Sequence, residues 1–271
     1  NHQDDFNHQD DLKVEHGLSL WIETNGQKIL FDFGASDSFL ENARALGIDL
    51  KEADMAFLSH GHYDHSGGMK SFLALNDKAK VHIQVHAFEE HLALRQSGVH
   101  EYIGILPKEE IDANRIVFCD QVTKLGDHFI LFSQVSGEEF SPKGNASLYM
   151  GSRENPILDD FRHEQNLLIQ EEGEWYLIAG CAHKGILNIV KAAKDLCGVY
   201  PKEVFGGFHL HNKSTGTNET AATLKELSQE LMKTGAIYYT GHCTGIIAFE
   251  EMKAVMKEQL EYFSCGSMYE K

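Results

Sequence analysis

The chain has 271 residues, 42% of them hydrophobic and 24% charged, with a formal net charge of −17. That length suffices for one large α/β domain in which roughly 70–75% of the unfolded surface can be buried without disulfide staples. The negative field disfavours nucleic acid and anionic membrane as partners, because it repels both, and no apolar run approaches the ~20 residues of a membrane span. Five cysteines, Cys119, Cys181, Cys197, Cys243 and Cys265, form no CxxC pair. An odd set of this kind favours reduced thiols and, with no signal-peptide pattern visible, a cytoplasmic location.

Residues 1–11, an imperfect tandem of NHQDD, have no apolar period and are expected to be irregular. Leu18–Glu23 and Lys28–Phe33 are apolar-rich runs joined through Asn25-Gly26, a strong hairpin signal. Ser38–Leu46 has helical spacing and stops before Gly47. Met55–Leu58 is long enough for a buried strand and too short for a helix. His60, His62, Asp64 and His65 follow directly, spaced by Gly61 and Tyr63. Three imidazoles and a carboxylate so close together supply donors suited to zinc, iron or manganese. In extended backbone, residues two apart share a face, so His60 and His62 can close on one ion. Asp64 and His65, past the strand end, can face a second.

Met69–Leu75 reads as a short helix. Val81, Ile83 and Val85 then alternate with polar residues, a strand that ends at His86, a candidate to line a pocket. Ala87–Gln96 reads as helix, and Val99–Glu110 is ambiguous. Arg115–Cys119, Phe129–Val135 and Ser147–Met150 are further strands, with a loop over Gly137–Asn145. Gly151–Arg162 lacks periodicity and is expected to arch over the site as a lid. Asn166–Gln170 and Trp175–Ala179, split by EEGE, form a second hairpin.

Helices over Ile186–Leu196, Asn218–Lys233 and Phe249–Gln259 alternate with strands Glu203–Phe205 and Ala236–Thr240. Thr217 and Asn218 are candidate caps of the middle helix. Three strands in this half run into a Gly and then a His: His183, His209 and His242. Strand ends are where ligands gather in α/β folds. The recurring order of strand, ligand-bearing loop and helix, with no linker, predicts a single domain over 1–271.

His-x-His-x-Asp-His after an apolar strand, below an earlier strand ending in Asp32-Phe33-Gly34, resembles the metallo-β-lactamase superfamily. The resemblance implies an αββα sandwich, two mixed sheets flanked by helices, with one or two divalent metal ions at one edge. Asp32 would lie behind the metal loop and help hold it. The segments GCAH, GGFHL and GHCTG are similar to a subgroup of small metal-dependent hydrolases that resembles the archaeal synthase joining a dihydropterin to a ribofuranosylaminobenzene phosphate. Carried over by position, His60, His62 and His183 would bind one ion, and Asp64, His65 and His242 the other. Cys181 stands where the superfamily has a bridging Asp, and is expected beside the ligands rather than among them. His163 sits roughly where the third motif has its histidine and ranks behind His183. Zinc is the expected metal, with iron and manganese as alternatives, since a thiolate favours zinc.

Other branches of the superfamily fit less well. Flavodiiron proteins carry Glu in place of His62, and nucleases need an exosite that the net charge disfavours. The implied activity is hydrolysis of a small anionic ester or phosphate-containing substrate by a metal-activated water. Asp64 would orient that water and His209 would protonate the leaving group. Lys184, Lys213 and His86 are candidate substrate contacts, the lysines beside helix N-termini. Two other classes stay open: a dihydropterin/aminobenzene ribotide condensing transferase, and a non-catalytic metal or ligand sensor on the same scaffold.

Overall fold

A computed structural model describes residues 12–105, 108–212 and 215–270. Lys213 and the NHQDD tandem lie outside the described residues. Five strands form the first sheet, in the order Leu20–Thr24, Gln27–Phe31, Met55–Leu58, Lys80–Gln84 and Ile116–Cys119; the first pair is antiparallel and the rest are parallel. The hairpin turns at Asn25 and Gly26, both at positive φ (51° and 70°), the backbone that a tight two-residue turn demands. Seven strands form the second sheet. Leu260–Tyr262, Ile237–Thr240, Glu203–Gly206 and Glu174–Ile178 run parallel, and Gln165–Glu171, Phe129–Ser133 and Val122–Leu125 extend it antiparallel.

Alternation along each strand sorts its side chains between two layers. Ile29, Phe31 and Phe57 point inward and meet Leu131, Leu167 and Ile178 of the second sheet. Their neighbours Leu30, Ala56 and Leu58 point outward, under Phe39 and Phe72 of the helices Ser38–Ala45 and Met69–Leu75. Leu168 and Leu177 point to the other outside, under the helices Ile186–Cys197, Ala221–Met232 and Ile246–Met256. Each fully buried apolar side chain contributes roughly 1.5–3 kcal/mol relative to exposure. The layers are helix, sheet, sheet, helix, the expected αββα sandwich.

Parallel strands end on the same side, and this brings the site together. The loop after Met55–Leu58, in the first sheet, joins those after Glu174–Ile178, Glu203–Gly206 and Ile237–Thr240 in the second. Among the described residues no helix is long and apolar enough to cross a membrane.

Several expectations for the elements differ from the structure. Ala87–Gln96 is not a helix: a 3-10 turn over Val85–Phe88 leads into the strand His91–Leu94. That strand pairs with Leu148–Met150 and His100–Tyr102 in a separate four-stranded antiparallel sheet. His91, Leu92 and Ala93 are all buried, so distant pairing overrides the local helical spacing. The middle helix of the second half starts at Ala221, capped by Thr220, because Thr217–Asn218 pairs with His211–Asn212. The last helix starts at Ile246, directly after Gly245, rather than at Phe249.

Candidate metal centre

The strand Met55–Leu58 delivers Ser59 and His60 at its end, and a one-turn helix, Tyr63–Ser66, presents Asp64 and His65. Asp32 sits behind them. Its Oδ1 accepts the Ser59 amide at 2.7 Å, and its Oδ2 accepts Ser59 Oγ at 2.7 Å and His65 Nδ1 at 2.6 Å. Ser59 has thereby used its only proton, so in the 2.8 Å contact with His60 the imidazole Nδ1 must donate. His183 Nδ1 donates to Asn145 Oδ1 at 3.0 Å, since the Asn145 amide nitrogen already donates to the His183 carbonyl. With Nδ1 protonated in each of these rings, Nε2 carries the lone pair that a metal requires.

The sequence-predicted ligands converge as two groups. The rings of His60, His62 and His183 lie 4.6–5.0 Å apart, all buried, and none of their Nε2 atoms has a hydrogen-bond partner. Burial and the neighbouring imidazoles hold all three well below the usual histidine range, which keeps them neutral. In the second group His65 Nε2 lies 3.1 Å from His242 Nε2 and 3.8 Å from Asp64 Oδ2, which is 3.4 Å from His242 Nε2. Donors bound at about 2.0–2.3 Å around one tetrahedral ion stand roughly 3.3–3.7 Å apart. Burial disfavours charge at His65, but Asp32 and Asp64 outweigh it and push its pKa up to about 9. A cation at Nε2 would take the place of that proton. The second donor set therefore fits divalent metal, while in the first the donor atoms of His60 and His183 group with Cys181 Sγ and that of His62 groups with His91, Asp159 and His163.

The route by which Cys181 and His183 converge was not legible from strand alternation. Ala182 between them is left-handed (φ 55°), as are Asp32, His209 and His242 (62°, 50° and 51°). Each such residue costs about 1–3 kcal/mol and persists where the surroundings over-determine it. Gly180 is required for a different reason: a Cβ there would lie 2.2 Å from Ser59 Oγ.

Cys181 is not set back from the ligand atoms. Its Sγ lies 3.1 Å from His65 Nε2, and it groups with His60 and His183 as well as with Asp64, His65 and His242. His209 groups with Cys181 and Cys243, its ring 4.2 Å from His183. Cys243, Glu164, His91 and Asp159 were not singled out from the sequence. Glu164 accepts the amides of His183 and Lys184 at 2.6 and 3.0 Å, while burial raises its pKa to about 7. His163 is turned away from His60: its Nδ1 accepts the Gly61 amide and its Nε2 meets Asp159. His86 is half-buried and bonded to Glu89 at 2.6 Å. Neither it nor Lys184 lines the cleft over the two groups, whose walls include His16, Tyr63, Arg95, Ser147, His211 and Asn212. His16 stacks on His242 at 4.5 Å.

Known proteins are similar to this chain across most of its length. A 7,8-dihydropterin-6-methyl-4-(β-D-ribofuranosyl)-aminobenzene-5′-phosphate synthase of Methanocaldococcus jannaschii is 29% identical over 269 residues, 94% of this chain and 89% of its own. An uncharacterized protein of the same organism is 31% identical, with 73% of each chain covered. A solved metal-dependent hydrolase of the β-lactamase superfamily superposes with a TM-score of 0.76 at 27% identity, covering 97% of this chain and 94% of its own. The family model described as the metallo-β-lactamase superfamily matches residues 12–187. Two mixed sheets with a histidine-rich edge and a family match over more than half the chain lead to one assignment: the chain belongs to the metallo-β-lactamase superfamily.

Proposed function

We propose that this protein is a zinc-dependent hydrolase of small anionic esters or phosphate-containing compounds. The observation that carries this reading is the trio of buried, unpartnered Nε2 atoms on His60, His62 and His183. An orphaned buried polar atom costs about 1–3 kcal/mol. Three in one place are accounted for by a cation that takes their lone pairs. An ion on this trio and a second on Asp64, His65 and His242 would supply an activated water and a Lewis acid beside the leaving oxygen.

The chain's own residues do the rest. Burial opposes ionisation of Asp64, but His65 and His242 hold its carboxyl well below the usual range, so it can accept from and orient the water. His209, on the cleft wall, would give a proton to the leaving group, and Arg95, ion-paired with Glu101, lines the same wall. Free thiols at all five cysteines support a reducing compartment such as the cytoplasm.

Cys181 supports a thiolate shared between the two ions, because it belongs to both groups. Burial and the Cys243 thiol push its pKa up, so a cation is what would draw the proton off. Cys181→Ser should then weaken both ions, and His183→Ala only one, each by at least the roughly 10–100-fold typical of supporting residues. In the cobalt-substituted protein the sulfur-to-metal absorption should vanish in Cys181→Ser and survive in His183→Ala. An unchanged spectrum in Cys181→Ser would return the sulfur to a supporting position.

A second reading is favoured by the synthase from M. jannaschii, whose similarity spans nearly the whole chain. In that case the same residues would serve a condensation with a diphosphate leaving group. Metal analysis followed by two assays separates the readings. Nitrophenolate release from aryl phosphates or carboxylic esters supports the hydrolase. Coupling of a dihydropterin diphosphate to an aminobenzene ribotide supports the synthase. A metal-loaded protein inert in both assays would favour a sensor.

A further inference from the structure

A buried carboxylate that the metal-centre assignment does not use lies against the metal loop. Asp159 has no exposed side-chain surface, and its Oδ2 accepts from His163 Nε2 at 3.2 Å and from His91 Nδ1 at 3.0 Å. Its Oδ1 accepts the Phe161 amide at 2.7 Å. His163 Nδ1 in turn accepts the amide of Gly61, between His60 and His62, at 2.9 Å. Phe161, held in left-handed backbone at φ 54°, lays its ring flat on His183, 4.6 Å between centroids and 2° between planes. One carboxylate is thus tied to all three members of the His60–His62–His183 group.

We propose that Asp159 is a positioning residue of the metal centre, which fixes the tautomer of His163 and through it the backbone of the metal loop. The proposal rests on reading His60, His62 and His183 as ligands. A neutral imidazole has one N–H. Because His163 Nδ1 accepts from Gly61, the proton must sit on Nε2, and only an acceptor can meet it there. A carboxylate offers acceptors alone, so it selects the required tautomer. His91 packs the loop from another side: a Cβ on Gly61 would lie 2.9 Å from His91 Nε2 and 2.3 Å from the Ala87 carbonyl. His62, His91, Asp159 and His163 have donor atoms close enough to raise the alternative of a further ion. The rings of His91 and His163 lie 3.8 Å apart between centroids, tilted by 33°, with both nitrogens on a single oxygen. That geometry fits two hydrogen bonds, since donors spread tetrahedrally around an ion would hold the rings apart.

The test uses protein labelled with ¹⁵N in histidine and stripped of metal, in which long-range proton–nitrogen NMR reads each tautomer. Wild-type His163 should carry its proton on Nε2. In Asp159→Asn the carboxamide keeps an acceptor for Phe161 and turns its NH₂ toward the imidazoles. His163 should then move its proton to Nδ1, and the Gly61 amide should exchange rapidly with solvent. Chelator competition should show one ion weakened roughly 10–100-fold and the other little changed. A wild-type His163 protonated on Nδ1, or an Asp159→Asn variant with tautomer and affinity unchanged, overturns the proposal. So does a third equivalent of metal in the wild type that is missing from Asp159→Asn, which would make Asp159 a ligand. A wild type that binds no metal at all refutes the metal-centre reading instead, and the NMR measurement on metal-free protein still decides the tautomer lock.

Discussion

His62→Ala is expected to purify with one equivalent of metal fewer than the wild-type chain and with no measurable turnover. The ring of His62 lies 4.6 Å from that of His60 and 5.0 Å from that of His183, and its buried Nε2 has no hydrogen-bond partner. Burial first, and then His163 and His91, hold it well below the usual histidine range, so it offers a lone pair without having to lose a proton. Removing it leaves His60, His183 and the thiolate that Cys181 shares with the other ion, one protein donor short of the set proposed for this ion. The sandwich itself should survive. Its inner layer rests on Ile29, Phe31 and Phe57 against Leu131 and Leu167, none of which depends on this ring, so the far-ultraviolet circular dichroism should match the wild type. His86→Ala is the control: His86 is bonded to Glu89 and lies off the cleft wall, so metal content and turnover should be unchanged. Full metal content in His62→Ala would remove His62 from the ligand set.

Much of this architecture was legible in the sequence because local signals agree with the final packing. Asn25-Gly26 dictates its hairpin, and the alternation of Ile29, Leu30 and Phe31 assigns each residue to one of two layers. The convergence of His60, His62, Asp64 and His65 follows from a four-residue strand running into a one-turn helix. His183, His209 and His242 could be placed at strand ends by the Gly that precedes each of them. What could not be read depends on contacts far apart in the chain. His91 falls in a stretch with helical spacing, yet it is drawn into a strand by Leu148–Met150 and into a hydrogen bond by Asp159, 68 positions away. Asp159 lies in a segment without periodicity, so nothing local distinguished it from a solvated loop acid. Cys181 was expected beside the ligands rather than among them, in the place of the superfamily's bridging Asp. The left-handed turn at Ala182 instead delivers its sulfur to 3.1 Å from His65 Nε2. Left-handed backbone at residues other than glycine has a weak sequence signature, and here it falls on the residues that shape the site.

For His209→Ala the expected result is the reverse of that for His62: full metal content with turnover reduced roughly 10²–10⁴-fold, the usual contribution of a positioned general acid. Each proposed ion has donors without this residue: His60, His183 and Cys181 group for one, with the ring of His62 beside them, and Asp64, His65, His242 and Cys181 group for the other. His209 lines the cleft, and its left-handed backbone at φ 50° turns the ring toward His183. Gly144 leaves it room, since a Cβ there would lie 2.9 Å from His209 Nε2. A proton donor in this position matters most when the leaving oxygen is a poor one. Alkyl esters should therefore lose most of their turnover in His209→Ala, while nitrophenyl esters, whose leaving group departs as a stable anion, should lose least. That dependence on the leaving group separates proton donation from a loss of packing, which would lower both alike. The neighbouring thiols support the competing role, because Cys181, Cys243 and His209 together have the composition of a Cys₂His zinc site. A His209→Ala variant that purifies with one equivalent of metal missing would make His209 a ligand and leave the leaving group to be protonated by solvent.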